Sequence, residues 1–380
     1  MTLFRKIRNL VLILGLSILT AACATAPEQK MTSISDAGRA AYFVKDSSRE
    51  LVVAVSPAGR TMRIGGTWGS LLGAGVDAVV NERYQERLEE VIDYDIGEMF
   101  TGRLETRLKD EITAELVEVA PPGAAGAASS PRQAQRERFE NLHKRGLHQS
   151  LELQVEYGIF GPQGILAVKV DGDLYALPRG STIWDNAIVA SSDPILANME
   201  LGDPTRSVLA PSFTNPRFKA EEDAISQWTE QGGEVLRETL EHVVTGVVSA
   251  TLVDLGLVDE PIGHYYLGKL ALLREDIEKA DQHFQRAIEL EPNYVDAKNG
   301  RSVVLHYMDE TSQAVRLAKS ITVNHPEFAP AYFNLAYWYA ESLNDPQQAA
   351  EYYQKALQLG MAPTSDIEKK IRKGEEALDE

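Results

Sequence analysis

A single cysteine, Cys23, occurs in 380 residues, so no disulfide can form within the chain. Basic residues are also scarce: 38 lysines and arginines stand against 56 aspartates and glutamates, for a net charge of -18 with no basic cluster. That balance excludes nucleic acid and anionic lipid headgroups as partners. The seven histidines, His143, His148, His242, His264, His283, His306 and His325, include no pair at zinc-binding spacing with the usual nearby glutamate. No metal site is read from them. There is no glycine-rich phosphate loop with its lysine, and Ser70 lacks the glycines two places to either side that a nucleophile elbow requires. Neither a catalytic residue nor a cofactor is assigned. Beyond the first 22 residues no apolar run is long enough to cross a bilayer as a helix.

Those first 22 residues are an export signal. Arg5, Lys6 and Arg8 precede an apolar run from Leu10 to Leu19, small residues Thr20-Ala21-Ala22 follow, and no acid appears before Glu28. The order Leu19-Thr20-Ala21-Ala22-Cys23 resembles the lipobox of bacterial lipoproteins, with Thr20 where leucine is usual. The resemblance implies that Cys23 becomes the acylated first residue of the mature chain, and Ala24 then favours the outer membrane, facing the periplasm. The alternative is an ordinary cleaved signal with an incidental cysteine. Residues 23–48 are polar and poorly periodic and are read as a tether.

A first domain is expected over 49–257. Leu51–Val55 is a short apolar strand closed by Ser56-Pro57-Ala58-Gly59. Gly65, Gly69 and Gly73 recur every four residues, either as a zipper that packs into a membrane or oligomer, or as a helix or loop pressed on the sheet. From Asn81 to Val119, Ile92, Ile96, Phe100, Leu104, Leu108, Ile112 and Leu116 mark one long helix or two in succession. After a small-residue linker, a basic helix spans Arg132–Arg145. Leu151, Leu153, Val155 and Tyr157 then alternate with Glu152, Gln154 and Glu156, which predicts one buried face and one wet face. Strands at Ile165–Val170 and Thr182–Val189 complete an antiparallel meander, with Asp171-Gly172-Asp173 read as a turn. The proline-rich stretch Ser191–Lys219 reads as a long irregular excursion over the surface, and Ala220–Leu255 as a single helix. The strand and helix order, with the pair Ile183-Trp184, distantly resembles the periplasmic domain of curli-secretion-type assembly lipoproteins.

The C-terminal third repeats. Ala280 recurs as Ala314 and Pro292 as Pro326, with Ala297 returning as Ala331 in the same frame. Leu267-Gly268, Ala280, Phe284, Ala287 and Pro292 stand at a spacing that resembles the tetratricopeptide repeat family. A degenerate second unit carries Arg301-Ser302 in place of Leu267-Gly268, and a third slips one residue at Leu343-Asn344-Asp345-Pro346. Gly268 and Ala280 are expected to face one another across the first helical pair. Ser365–Leu378 reads as a capping helix with Ser365 as its N-cap. The fold class is therefore α+β: an N-terminal α/β sandwich domain followed by an all-α tetratricopeptide-repeat solenoid over 261–378.

The expectation for function is a lipid-anchored periplasmic scaffold whose repeats bind a protein or peptide partner in envelope or surface-structure assembly or secretion. The alternative is a cell-wall-associated enzyme or a regulator of cell-wall synthesis. In a solenoid of helical pairs the first helix of each unit lines the concave surface. Those helices carry His264, Tyr265 and Lys269, then Asn299, Arg301 and His306, then Tyr332, Asn334 and Tyr337. Aromatic rings beside hydrogen-bonding tips suit an extended peptide; the alternative is that the tyrosines pack between units. On this reading Asn299 and Asn334 are dispensable for folding.

Overall fold

The computed structural model describes residues 34, 37–48, 51–54, 83–92, 94–122, 130–160, 163–199, 201–202 and 225–379. The export signal, Cys23 and the Gly65/Gly69/Gly73 stretch lie outside the described residues.

Residues 39–46, assigned above to the tether, instead form a strand: β1, Arg39–Asp46. Its run Ala40–Val44 is short, and polar residues flank it, which hides it in the sequence; in the fold Ala40, Ala41, Tyr42 and Phe43 are all buried because both faces are covered. β2 follows at Val52–Ala54, then α1 at Ile96–Glu111, β3 at Glu115–Glu118, α2 at Pro131–Lys144, β4 at Gln149–Phe160, β5 at Ile165–Ala176 and β6 at Ser181–Ser191. The sheet order is β3-β1-β4-β5-β6, with β2 beside β4. β1 runs parallel to β3 and β4, while β4, β5 and β6 form the antiparallel meander.

Leu151, Leu153, Val155, Tyr157, Val168 and Val170 belong to the same apolar cluster as Phe100, Leu104 and Leu108 of α1. On the opposite face α2 lays Phe139 and Leu142 over Ala41 and Phe43. Ser130 caps α2 by accepting from the Gln133 amide at 3.3 Å. Three expectations are corrected here. Leu116 belongs to β3 rather than to a helix. Glu156, expected on a wet face, is buried beside Lys169, and desolvation raises its pKa. Gly172 is not in a turn but in mid-strand, where a Cβ would lie 2.5 Å from the Trp184 ring. A glycine inside a strand marks such a close approach.

The helix expected over 220–255 is broken. Gln231, Gly232 and Gly233 have positive φ, and α3 proper runs from Glu234 to Asp254. It packs on the sheet through Leu236, Leu240, Val243 and Val247 while its other side meets the repeats, so the sheet core and the first repeats share one apolar cluster. At that crossing a Cβ on Gly246 would lie 2.0 Å from Cε2 of Tyr266. Polar contacts secure the same junction: Trp184 Nε1 and Asn186 Nδ2 each donate to Asp254 at 2.8 Å, and Arg274 donates to Asn186 and to the Ala187 carbonyl.

The repeats are α4 (Pro261–Leu273) with α5 (Ile277–Leu290), α6 (Val295–Tyr307) with α7 (Thr311–Asn324), and α8 (Ala329–Glu341) with α9 (Pro346–Gln358); α10 (Ser365–Asp379) caps them. The first helices start 34 residues apart. Each pair turns on one left-handed residue, Glu275, Asp309 and then Asn344, the last displaced by the extra residue after α8. Ala280, Phe284, Ala287, Ala314, Ala318, Ala331, Ala349 and Ala356 are fully buried, as the small-residue pattern requires. Gly268, however, faces Phe284 rather than Ala280: the nearest ring carbon would be 2.8 Å from its Cβ. Ser365 is the first residue of α10 rather than the residue before it. No described helix is long and apolar enough to cross a membrane.

Candidate functional site

The concave surface lined by α4, α6 and α8 is not empty. Where β6 ends, the chain crosses it: residues 191–199, read from the sequence as part of a surface excursion, form a strap that lies along the first helices of all three units.

The strap is held by side chains of the groove acting on its main chain. Lys269 Nζ donates to the carbonyls of Ser191 at 3.1 Å and Asp193 at 2.5 Å, and to the Asp193 carboxylate at 3.0 Å. Asn299 Nδ2 donates to the Ile195 carbonyl at 2.8 Å. Asn334 Oδ1 accepts from the Ala197 amide at 2.7 Å, while its Nδ2 donates to Asn299 Oδ1 at 2.9 Å. The chain then turns, the Met199 amide bonding back to the Leu196 carbonyl. On the return, Tyr307 donates to the Met199 carbonyl and the Gly202 amide donates to the Leu273 carbonyl at 2.6 Å.

Burial explains why these contacts matter. Lys269 is 1% exposed, Asn299 2% and Asn334 0%, so each depends on protein partners for its hydrogen bonds. Burial works to raise the pKa of Asp193, but the Lys269 ammonium and the hydrogen bonds it receives outweigh this and leave it below the usual carboxylate range. Among the described strap residues after Ser191, two side chains are themselves buried, Ile195 and Ala197. Ile195 reaches the space left by Gly300, where a Cβ would lie 2.6 Å from Phe284 and 2.9 Å from Cδ1 of Ile195. Such a side chain contributes about 1.5–3 kcal/mol on burial.

Of the groove residues expected from sequence, Lys269, Asn299 and Asn334 converge on the strap, and the others do not join them. Tyr265 is buried between units, its ring near those of Tyr266, Phe284 and Tyr294, and burial raises its pKa well above the ordinary value. Tyr332 packs near Tyr352 and donates to the Thr322 carbonyl. Arg301 pairs with Asp281 at 3.0 Å, His306 bonds to Thr311 and lies beside Trp338, and Lys370 sits 4.8 Å from the Tyr337 ring. His264 belongs to a separate chain of contacts: Nε2 to Asp259 at 2.9 Å and Nδ1 to His283 Nδ1 at 3.0 Å, with Arg286 bonded to Asp259. Asn299 and Asn334 are buried and bonded to the strap and to each other, so what their loss weakens first is the docking of the strap. Asp193, Ile195, Ala197 and Gly300 were missed. The available signal was the set of polar residues Lys269, Asn299 and Asn334 on otherwise apolar helix faces, which need polar partners when buried.

Among the described residues no group of three or more histidine, cysteine, aspartate or glutamate side chains could hold a metal ion.

Residues 261–294 and 329–359 each match a family model described as tetratricopeptide repeat. No curated protein matches the chain at significance. Two solved structures are similar to part of the chain. One is YrrB, described as a TPR protein with an unusual peptide-binding site, at 20% identity over 40% of this chain and 81% of that chain, with a TM-score of 0.28. The other is MamA, at 21% identity over 37% of this chain and 90% of that chain, with a TM-score of 0.27. The C-terminal repeats are thus tetratricopeptide repeats, an architecture of protein-interaction scaffolds.

Proposed function

We propose that this protein is a non-catalytic scaffold, anchored to the outer membrane through an acylated Cys23 and facing the periplasm, whose repeats bind a protein partner in envelope or surface-structure assembly or secretion. One observation carries the binding role: three buried groove side chains, Lys269, Asn299 and Asn334, engage the main chain of an irregular segment spread along the first helices. A groove that reads carbonyl and amide groups accepts a chain of almost any sequence, and a few side-chain pockets then select among such chains. The shared core between sheet and solenoid makes the two parts one body, so a partner held by the repeats is held at a fixed distance from the sheet. The anchoring rests on the lipobox resemblance at Leu19–Cys23.

The test is co-purification from crosslinked membranes, run with the full chain and with Cys23→Ser in the presence of a fatty-acid analogue. The reading expects an envelope protein captured with the wild-type chain and, in the variant, loss of the label together with an uncleaved or mislocalised precursor. Labelling that survives in Cys23→Ser removes the anchor; failure to capture any envelope protein removes the scaffold.

A further inference from the structure

We propose that the strap is a ligand held in cis, and that the partner of the groove is an extended peptide of the same chemistry: an aspartate two residues before an aliphatic side chain, itself two residues before a small one. The inference rests on the scaffold reading and names its partner class and its regulation.

The pattern follows from three adjacent subsites. Lys269 meets both the main chain and the carboxylate of Asp193. The notch at Gly300, floored by Phe284, takes Ile195. Asn334 bonds to the main chain at Ala197, which is 4% exposed. Between these positions Pro194 is exposed and free to vary, while Leu196 packs against the apolar cluster of the third unit, so an apolar residue there adds to the pattern. Every hydrogen bond from Lys269, Asn299 and Asn334 to the strap ends on its main chain except the one to the Asp193 carboxylate, and a peptide from another molecule can offer the same groups. Main-chain carbonyl and amide groups are common to every peptide, so the three side chains that hold the strap can hold an occupant supplied in cis or in trans.

A cis ligand competes at an effective concentration on the order of millimolar, so the same sequence added in trans binds the wild-type protein only weakly. The strap is therefore autoinhibitory, and a partner gains the groove when it supplies the subsite residues at higher affinity or when the strap is drawn away.

The experiment uses a fluorescent peptide corresponding to residues 191–199 and the full mature chain. Ile195→Asp places a charge in the apolar notch, expels the strap and leaves the groove residues intact. Its peptide affinity should exceed that of wild type by at least about tenfold, since the competent state is no longer a minor population. Adding Asn334→Ala to that variant should return the affinity to wild type or below. Circular dichroism checks that Ile195→Asp retains its helices. A second readout, independent of that variant, is amide exchange of Ala197 in the wild-type protein, which should accelerate as saturating peptide displaces the strap. Equal affinities for wild type and Ile195→Asp, binding indifferent to Asn334→Ala, or unchanged Ala197 exchange at saturation each overturn the proposal. If these fail while an envelope protein is still recovered from crosslinked membranes, the cis-ligand idea falls and the scaffold stands. If no envelope protein is recovered, the scaffold reading fails on its own test.

Discussion

Replacing Lys269 by methionine isolates the strongest single hold on the strap. The side chain is 2% exposed and makes three contacts, to two carbonyls and to a carboxylate. Methionine keeps most of the stem and removes all three. Breaking a buried ion pair by deleting one partner costs about 3–5 kcal/mol, but Asp193 keeps 31% of its side-chain exposure and water can recover part of its solvation. The net expectation is about 2–4 kcal/mol for strap docking, or roughly a thirty- to thousand-fold increase in strap opening at 1.4 kcal/mol per factor of ten. Asp193→Asn is the companion. It leaves both carbonyl acceptors in place, so its cost should be about 1–2 kcal/mol. The assay is hydrogen exchange and limited proteolysis over 191–199 in the full chain, with the helices of 261–358 as internal reference. A change in strap opening below about threefold for Lys269→Met would refute the reasoning, because it would mean that the lysine is equally well satisfied without the strap.

Two further outcomes follow from other parts of the fold. At Gly246 any side chain collides with Tyr266, so Gly246→Val should separate α3 from α4 and lower the melting temperature with a cost of about 1–3 kcal/mol; an unchanged melt would disprove the close crossing. Burial, followed by the neighbouring His264 and Lys279, depresses His283 from 6.5 to about 4. The unfolded chain therefore binds a proton that the folded chain refuses, and the stability this group contributes is complete above pH 6.5 and lost as pH falls towards 4. With partial exposure allowed for, that loss is on the order of 2–3 kcal/mol. His283→Gln should flatten the pH dependence of the melting temperature over that window, and an equally steep profile in the variant would assign it elsewhere.

How much of this was legible depended on where the information sits. The repeats were readable because Ala280, Phe284 and Ala287 recur under one constraint, close helix packing, that acts on local sequence. β4, β5 and β6 were readable through alternation and their turns. β1 was not, because a central strand with both faces covered loses the alternation, and Ala40–Val44 is too short to stand out among polar neighbours. Gly172 was taken for a turn because its reason, the Trp184 ring, lies on the next strand. The helix break at Gln231–Gly233 depends on left-handed backbone that Gly232-Gly233 announces only weakly. The strap was the hardest. Its composition, with Ser192, Pro194 and Asn198, is that of an exposed loop, and what orders it is its main chain meeting residues about 75 to 140 positions away. Three of the groove residues named from sequence, Lys269, Asn299 and Asn334, hold it, but the sequence offered no sign that a segment of the same chain lies against them.

The most direct measurement of the central claim, a repeat groove filled by residues 191–199 of its own chain, is amide hydrogen exchange at Ala197. That amide donates to a fully buried Asn334 at 2.7 Å. In the isolated mature protein it should exchange as slowly as amides in the α6 and α8 cores, and Asn334→Ala should accelerate it by at least tenfold while leaving those cores protected. Exchange of Ala197 at the rate of an unstructured peptide in the wild-type protein would contradict the account.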